Sequence, residues 1–462
     1  MKPWMWPVAA GVALGFAYTL SPLTIVAIAL LVPVWQSVSR DITGAERRWL
    51  LTIVLVAVAL RGISMAGLFL TADPNIPYNN FFGDEEFFKR KTTWLRNVAI
   101  GVPISTADFI YAFDKTGDNG YVSMLTYVQA LVGLAPYGIH ILNASLYLAA
   151  VLLLYGVTRK AFGGASALVG LALLLFLPSL FFWSISALKE PVYFLVAAVN
   201  IVAAIAIVRQ PQWRGKVFAA VVLAVGAYLL QSLREGGLIL AVVGSVGGMM
   251  LAYLVTRPRL IVAAALVLPL VAAAAISRPQ VQDRVWGVFR EAALKHWGHI
   301  NTPGQAYKLM DASFYVDRKS VAEMTAGDAA GYSVRALWSF ATVPLPWTIE
   351  SRSMLAYLPE QMVWYVLLVL TPIGAVAAFK ADALVGALLV SHGSMAALMV
   401  ALSGGNVGTL VRHRGLAMPY LAWLAGLGLV TVGVRLLSRQ RRALSTDPQP
   451  PDPSKAGFAW LS

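Results

Sequence analysis

Apolar runs of about 20 residues recur along the whole chain, with short polar turns between them. An uncharged run of that length crosses roughly 30 Å of hydrocarbon as an α-helix. Short segments of alternating polarity, which a membrane β-barrel requires, do not occur. The pattern therefore predicts an all-α, polytopic transmembrane helical bundle of about 11 to 12 spans. The predicted spans are residues 4–35, 48–71, 138–158, 163–183, 191–208, 217–233, 236–256, 260–276, 360–379, 383–402 and 414–435.

The same pattern divides the chain into five parts. The first run is interrupted by Ser21 and Pro22, so it holds one span or two. Its weak basic start and missing small-residue cleavage site indicate a retained segment rather than a signal peptide. From Ser438 onward the chain is charged and rich in proline, which predicts disorder. The predicted parts are an additional N-terminal membrane segment (1–47), a transmembrane core (48–276) with a first large loop (72–137), a loop or cap (277–359), C-terminal transmembrane helices (360–436) and a disordered cytoplasmic tail (437–462).

Lys and Arg recur in every second turn between the predicted spans. The positive-inside rule places this set of turns in the cytoplasm, so the other set, with both long loops, faces the outer side. Because basic residues orient helices in this way, the formal net charge of +14 does not indicate nucleic-acid binding. The basic turns hold Arg40, Arg47 and Arg48; Arg159 and Lys160; Arg209, Arg214 and Lys216; Arg257 and Arg259; Lys380; and Arg435, Arg439, Arg441 and Arg442.

Composition narrows the chemistry that the chain can perform. It has no Cys, so disulfides, thiolate metal sites and thiol nucleophiles are excluded. Its five His leave little room for a metal cluster built from imidazoles. The sequence contains neither a glycine-rich nucleotide loop nor a Ser-His-Asp order. The remaining candidates are charged residues in the outer turns, because the positive-inside rule does not account for them.

The first large outer loop contains the acidic stretch FFGDEEFF, residues 81–88. Its adjacent carboxylates, Asp84, Glu85 and Glu86, repel one another, and such repulsion raises the pKa of one acid toward the range of a general base. They could also bind a divalent cation through oxygen ligands. The alternative is a helix N-terminus, where acids meet the helix dipole and Lys89 follows one turn later. The phenylalanine pairs predict that this segment is held at the lipid interface.

Two short outer turns place a cation beside an acid. The turn SALKEP has Lys189 at the start of a span, and SLREGG has Arg234 next to Glu235. A guanidinium binds a phosphate through two parallel hydrogen bonds, so these residues are candidates for holding a lipid-linked phosphate. The alternatives are a lysine that snorkels to the interface and an ion pair between Arg234 and Glu235.

The outer segments of the C-terminal third add a second candidate. The stretch GTLVRHRG contains Arg412 and Arg414, two cations that could hold a phosphate, with His413 between them as a proton carrier. The alternative is a basic cluster that flanks the membrane. Residues 277–359 mix aromatic and polar side chains, which predicts a folded cap over the outer mouth of the bundle.

With these motifs the chain resembles the GT-C glycosyltransferases, particularly the protein mannosyltransferases and the lipid A aminoarabinose transferases. The resemblance covers roughly residues 50–260 and rests on FFGDEEFF in the first large outer loop and on a span that ends in the basic turn YGVTRKAFG. It implies a polyprenyl-phosphate sugar as donor. It also implies Asp84 as the base on the acceptor hydroxyl, Glu85 as its support, directly or through a metal ion, and Arg234 and Lys189 as cations on the donor phosphate. The additional N-terminal segment and the third acid, Glu86, depart from the family pattern.

The resemblance implies an integral-membrane hexosyl- or pentosyltransferase of cell-envelope, polysaccharide or glycoconjugate biosynthesis. We expect the protein in the plasma membrane, and specifically in the bacterial inner membrane, with its active site facing the outer side. Its expected partners are the polyprenyl-phosphate sugar, a lipid, glycan or protein acceptor, and membrane lipids; a divalent metal ion is the one cofactor left open.

Two alternatives stand beside the transferase. The first is a ligase or polymerase of polyprenyl-diphosphate-linked glycans that relies on Arg412, His413 and Arg414. The second is a lipid or glycan transporter without covalent chemistry. Transporters carry charges near the bilayer midplane, whereas nearly all charges of this chain lie at the ends of the predicted spans.

Overall fold

The computed structural model describes residues 21–71, 80–115, 117, 119–135, 137–316, 321, 323–348 and 351–445, and residues 7, 8, 11, 12, 14, 15 and 18 of the first 20. Across these residues the chain is helical and forms no strand. The helices named below are α1 (Leu23–Ser39), α2 (Gly44–Leu70), α3 (Asp84–Ala99), α4 (Thr106–Phe113), α5 (Gly120–Val132), α6 (Gly138–Phe162), α7 (Gly164–Phe176), α8 (Pro178–Ile185), α9 (Glu190–Arg209), α10 (Trp213–Leu233), α11 (Gly237–Val255, π-helical over Val242–Gly247), α12 (Pro258–Ile276), α13 (Pro279–Ile300), α14 (Ala326–Thr342), α15 (Arg352–Ala381), α16 (Ala383–Ser403), α17 (Val407–Arg414) and α18 (Met418–Ser445).

The transmembrane architecture is confirmed. In the described part of the chain nine helices are long and apolar enough to cross a membrane, namely α2, α6, α9, α10, α11, α12, α15, α16 and α18. A tenth crossing is formed if α7 and α8, which meet at an angle of 65°, count as one broken span. These ten correspond to ten of the predicted spans. The predicted total of 11 to 12 exceeds them because it includes residues 4–35, of which α1 supplies only 17 residues of helix and the first half falls largely outside the described residues.

The break between α7 and α8 is held by charged side chains from two other spans. Pro178 has no N–H and interrupts the helical hydrogen bonds. The Leu175 carbonyl accepts from Nη2 of Arg61 at 3.2 Å instead of from the N–H of Ser179, four residues later. At the start of α8, Glu360 accepts from the backbone N–H of Ser179 at 2.9 Å and from its hydroxyl. Arg61 and Glu360 are both buried. Satisfying the freed backbone groups in this way makes a break tolerable at membrane depth.

Ion pairs between the turns show which turns lie at the same end of the bundle. At one end Nε of Arg159 lies 2.6 Å from Glu46, and Arg209 lies 2.5 Å from Asp382; both pairs join turns of the basic set. At the other end Arg412 pairs with Asp84, as part of a contact between two turns of the second set. The structure thus brings together the turns that the sequence sorted together. The assignment of the first end to the cytoplasm stays a prediction.

The C-terminal boundary requires a correction. The segment predicted as a disordered tail from 437 begins inside α18, which continues from the last span to Ser445. The added turns are rich in Arg, Gln, Leu and Ala, which are good helix formers, and basic residues are favourable near a helix C-terminus. The predicted disorder of 446–462 falls outside the described residues, as does most of the predicted N-terminal segment before Ser21.

The predicted cap is folded in its described residues and forms hydrogen bonds with the turn before α17. Nδ1 of the buried His296 donates to the Gly404 carbonyl at 2.9 Å, and the hydroxyl of Tyr307 donates to the same oxygen. The backbone continues this contact, since the N–H of Val407 donates to the Gln305 carbonyl at 2.9 Å. The cap therefore fixes the start of the helix that carries Arg412 and His413.

Candidate functional site

The candidate site forms where the acidic stretch meets the basic turn of the C-terminal third. Asp84 is the first residue of α3, and its side chain is 60% exposed. Arg412, in the last turn of α17, donates from Nη1 to Oδ2 of Asp84 across 328 residues of sequence. The guanidinium also lies over the ring of Phe82, 5.9 Å from its centroid. Two motifs that the sequence offered as separate candidates thus belong to one cluster.

A second guanidinium lies behind this pair. Nη2 of Arg234, in the turn between α10 and α11, lies 3.1 Å from Nε2 and 3.3 Å from Nδ1 of His413. Its Nη1 lies 3.7 Å from Oε1 of Glu190, the first residue of α9. Burial lowers the pKa of His413 well below its ordinary value, and the charges of Arg234 and Arg412 lower it further. His413 is therefore a neutral acceptor at physiological pH.

Lys189 supplies the third cation of the cluster. Its side chain is half-buried, and burial lowers its pKa, with the charge of Arg234 as the next cause. No hydrogen bond or ion pair joins its ammonium group to another residue in the described part of the chain. With Arg234 and Arg412 it forms a group of three cations that faces two carboxylates, Asp84 and Glu190. The local charge is positive, so the cluster attracts anions.

Two buried polar atoms of the cluster lack a partner among the described residues. These atoms are Nε of Arg412 and Oε2 of Glu190. Buried polar groups are costly unless they are hydrogen-bonded, so such atoms mark places where water or a ligand completes the structure. Among the described residues that line a small cavity between α6, α8, α9 and the start of α18, Glu190 is the only charged one. The other lining residues are Tyr147, Leu180, Trp183, Pro191, Tyr193, Phe194, Gly415, Leu416, Pro419 and Tyr420.

Glu85 lies apart from Asp84. Neighbouring residues on a helix point in different directions, and Glu85 points inward and is completely buried. Its Oε1 accepts from the N–H of Phe82 at 2.9 Å, and its Oε2 lies 3.8 Å from Nζ of Lys89 and 3.7 Å from Nδ1 of His140. Burial raises the pKa of Glu85 and lowers that of Lys89 to about 8. These contacts of Glu85 are therefore with its own segment and with α6, and not with the side chain of Asp84.

The same buried group anchors the turn that carries Lys189. His140 donates from Nδ1 to the Ile185 carbonyl at 2.6 Å. Nδ2 of Asn143 lies 2.7 Å from the carbonyl oxygens of both Ser186 and Leu188. These contacts join α6 to the turn after α8, and they thereby fix the position of Lys189 in the cluster.

The carboxylates of Asp84 and Glu85 do not fit as ligands of one metal ion. Asp84 faces Arg412 and solvent, whereas Glu85 is enclosed and has Lys89 and His140 as neighbours. Among the described residues, His, Asp and Glu do not form any group of three or more that could hold a metal.

Glu86 and Arg414 lie outside the cluster, and Glu235 lies at its edge, where its charge acts on that of Lys189. Glu86 is exposed on α3, and Glu235 forms an ion pair with Lys295 of the cap that lowers the pKa of Glu235. Arg414 is buried and donates to the carbonyl oxygens of Phe340 and Val343 and to Oε1 of Gln361. The predicted phosphate-binding role of Arg414 is corrected, because these acceptors occupy its guanidinium.

The phenylalanines of FFGDEEFF pack within the protein. Phe81 meets the ring of His140 with centroids 5.6 Å apart, and Phe88 meets Tyr121 at 5.3 Å. Phe87 contacts Tyr111, and Phe82 lies under Arg412. These rings fix α3 against its own neighbours, and their placement at the lipid interface stays a prediction.

Sequence reasoning missed the importance of Arg61, Glu190 and Glu360. Arg61 was visible as a charge within an apolar run, and a charge at such a depth demands partners. It is the exception to the expectation that charges lie at span ends. Glu190 and Glu360 stand at or near the predicted starts of spans, where an acid resembles an ordinary helix cap, so no pattern distinguished them.

Comparisons of the chain with known protein families, with curated proteins and with solved structures found no match.

Proposed function

We propose that the protein is a membrane glycosyltransferase of GT-C type that moves a sugar from a polyprenyl-phosphate donor to an acceptor hydroxyl at the Asp84 end of the bundle. The observation that carries this proposal is the contact between Asp84 and Arg412, with Lys189 and Arg234 beside it. It combines an accessible carboxylate with cations at the ends of membrane spans. This is what transfer from a lipid phosphate requires.

The proposed reaction assigns one task to each kind of group. The acceptor oxygen forms a bond to the anomeric carbon while the bond from that carbon to the phosphate oxygen breaks. Asp84 takes the proton of the acceptor hydroxyl. The polyprenyl phosphate leaves with the electron pair, and Lys189, Arg234 and Arg412 balance its charge. Neutral His413 holds the guanidinium of Arg234 in position without competing for the phosphate.

The ion pair between Asp84 and Arg412 implies that the donor binds before Asp84 acts as a base. Without a donor, Arg412 is occupied by Asp84. A phosphate that binds Arg412 competes with the carboxylate for the guanidinium and thereby frees Asp84 to accept a proton. The unpartnered Nε of Arg412 is a further donor for the arriving phosphate oxygens. The base is thus available when the leaving group is already bound.

The helices around the cluster suit a donor whose tail stays in the bilayer. Arg234 directly follows α10, and only 22% of the most apolar stretch of α10 is buried inside the protein. An exposed apolar helix of this kind contacts lipid directly. A polyprenyl chain can therefore stay in hydrocarbon while its phosphate reaches the cations.

The test is transfer of radiolabelled sugar from polyprenyl-phosphate donors by the purified protein, with membrane lipids and glycans as acceptors. Asp84→Asn is compared with Glu86→Gln, which removes the same charge from an exposed acid in the same helical turn. A general base contributes roughly 10²- to 10⁴-fold to rate, so transfer should fall at least about a hundredfold in the first variant. The control should keep it. Equal activity in both variants would remove Asp84 from the chemistry, and a parallel reaction with a chelator reports any metal requirement.

A ligase that uses polyprenyl-diphosphate-linked glycans is the second candidate. It is favoured by the number of cations, because Lys189, Arg234 and Arg412 together match the charge of a diphosphate better than that of a monophosphate. In the same assay it predicts transfer only from diphosphate-linked donors. It also predicts that transfer survives Asp84→Asn and is lost in Arg412→Gln. Arg414 has no place in this test because it holds the cap in position.

A further inference from the structure

At the other end of the bundle, α15 and α18 cross at a pair of glycines. A Cβ on Gly374 would lie 1.7 Å from the Leu424 carbonyl oxygen, and one on Gly428 would lie 2.2 Å from that of Leu370. The backbones therefore touch, as they do at helix crossings built from small residues. Next to this crossing is an open groove. Its empty space, including the part that is open to the surroundings, is about 1090 Å³. It is lined by Pro372, Ile373, Val376, Ala377, Lys380, Ala381, Thr431 and Arg435.

The groove has an apolar part and a cationic part. Pro372, Ile373, Val376 and Ala377 lie within the transmembrane part of α15, whereas Lys380 stands at its last turn. Over this length α15 rises about 12 Å, which is the reach of a good part of an acyl chain. One side of the groove is therefore hydrocarbon-like, and its polar end coincides with the end of the span.

The two cations of the groove have no counter-ion among the residues that the structure describes. Among the described residues neither Lys380 nor Arg435 forms an ion pair, and the groove lining contains no acid. The nearest acid in sequence, Asp382, is bound to Arg209 at 2.5 Å. Both cations are exposed. Their charge is thus available to a ligand that comes from the bilayer.

We propose that this groove binds an anionic phospholipid, with the acyl chain along α15 and the head-group phosphate between Lys380 and Arg435. Basic pockets between transmembrane helices are suited to such head groups. A zwitterionic lipid is a poorer ligand because its ammonium group meets the same two cations. The site lies at the opposite end of the bundle from Asp84 and does not depend on the proposed transferase activity.

The test uses the full-length protein in detergent and counts bound lipid by native mass spectrometry, with phosphatidylglycerol and phosphatidylcholine as probes. The variant Lys380→Gln/Arg435→Gln should lose about tenfold or more in phosphatidylglycerol affinity. Its matched control is Arg214→Gln/Lys216→Gln, which removes two exposed charges from the same end of the bundle outside the groove. The control should retain wild-type binding.

A second variant separates the groove from charge alone. Ala377→Phe fills the apolar part and leaves both cations in place, so it should also release phosphatidylglycerol. Equal loss in the charge variant and in its control would overturn the proposal, because binding would then follow net charge. Equal retention of the two lipids by the wild type, or unchanged binding in Ala377→Phe, would overturn it as well.

Discussion

Arg61 donates from Nε to the hydroxyl of Ser184 at 2.8 Å and from Nη2 to the carbonyl of Leu175 at 3.2 Å, so one guanidinium joins both sides of the break between α7 and α8. It also lies 4.8 Å from the ring centroid of Phe181. Because α8 leads directly into the turn of Lys189, this contact connects the middle of a span to the candidate site.

Arg61→Leu should therefore destabilise the protein. Each buried carbonyl or hydroxyl that loses its partner costs about 1–3 kcal/mol, and the substitution removes more than one such partner. The measurement is thermal unfolding of the purified protein in detergent. Arg48→Leu removes an exposed arginine from the same helix and should leave the unfolding temperature almost unchanged. An Arg61→Leu protein as stable as the control would contradict the assigned role.

The ion pair between Asp84 and Arg412 should contribute little to stability. Asp84 is more than half exposed, and ion pairs at exposed positions are worth about 0.2–1 kcal/mol. A double-mutant cycle with Asp84→Asn and Arg412→Gln measures this coupling through the free energy of unfolding. A coupling of several kcal/mol would show that the pair is structural, and Asp84 would then be a poor candidate for a base that must be released.

The crossing of α15 and α18 predicts different effects on stability for two similar substitutions. Gly374→Ala places a Cβ 1.7 Å from a backbone oxygen, so the helices must separate and the unfolding temperature should fall. Gly433→Ala, on α18, meets nothing within 4 Å and should be neutral or stabilising by up to about 1 kcal/mol. Thermal unfolding of the two variants side by side checks this contrast. Equal effects would mean that the close crossing is not maintained.

The buried His296 predicts a loss of stability in acid. Burial lowers its pKa to about 4 in the folded cap, from 6.5 in a free histidine. Between these values the unfolded chain binds a proton that the folded chain does not. Stability is therefore complete above pH 6.5 and falls by about 1.4 kcal/mol per pH unit as the pH drops toward 4. His296→Gln should reduce this slope in unfolding measured from pH 7 to 4.5, while above pH 7 the two curves should run parallel.

Hydrophobic patterning predicted most of the helices because each span needs enough apolar residues to cross the membrane. Residues 191–208 became α9 and residues 383–402 became α16, each to within a few residues at both ends. It did not find the break at Pro178. A broken span has the same average hydrophobicity as a straight one, and the side chains that satisfy the break, among them Arg61, Tyr147 and Glu360, come from distant segments.

The candidate site was predicted as a set of charged residues, of which the structure assembles about half. Asp84, Lys189, Arg234, Arg412 and His413 come together, whereas Arg414 turns toward the cap and Glu85 turns into the core. The sequence pattern did not distinguish charged residues that are close neighbours in the chain, such as Arg412 and Arg414. The direction of each side chain on its helix decided between them, and that direction depends on which face the helix packs against the bundle.

By itself the sequence determined that the chain is a helical membrane protein, where its spans lie and which turns share an end. These properties follow from the free-energy cost of placing polar groups in hydrocarbon. Each residue contributes to that cost independently of residues far away in the sequence. Only the tertiary structure decided that Asp84 meets Arg412, that Glu85 is buried and that Arg414 is structural. Such contacts join residues hundreds of positions apart, and they depend on how the helices pack rather than on any local preference.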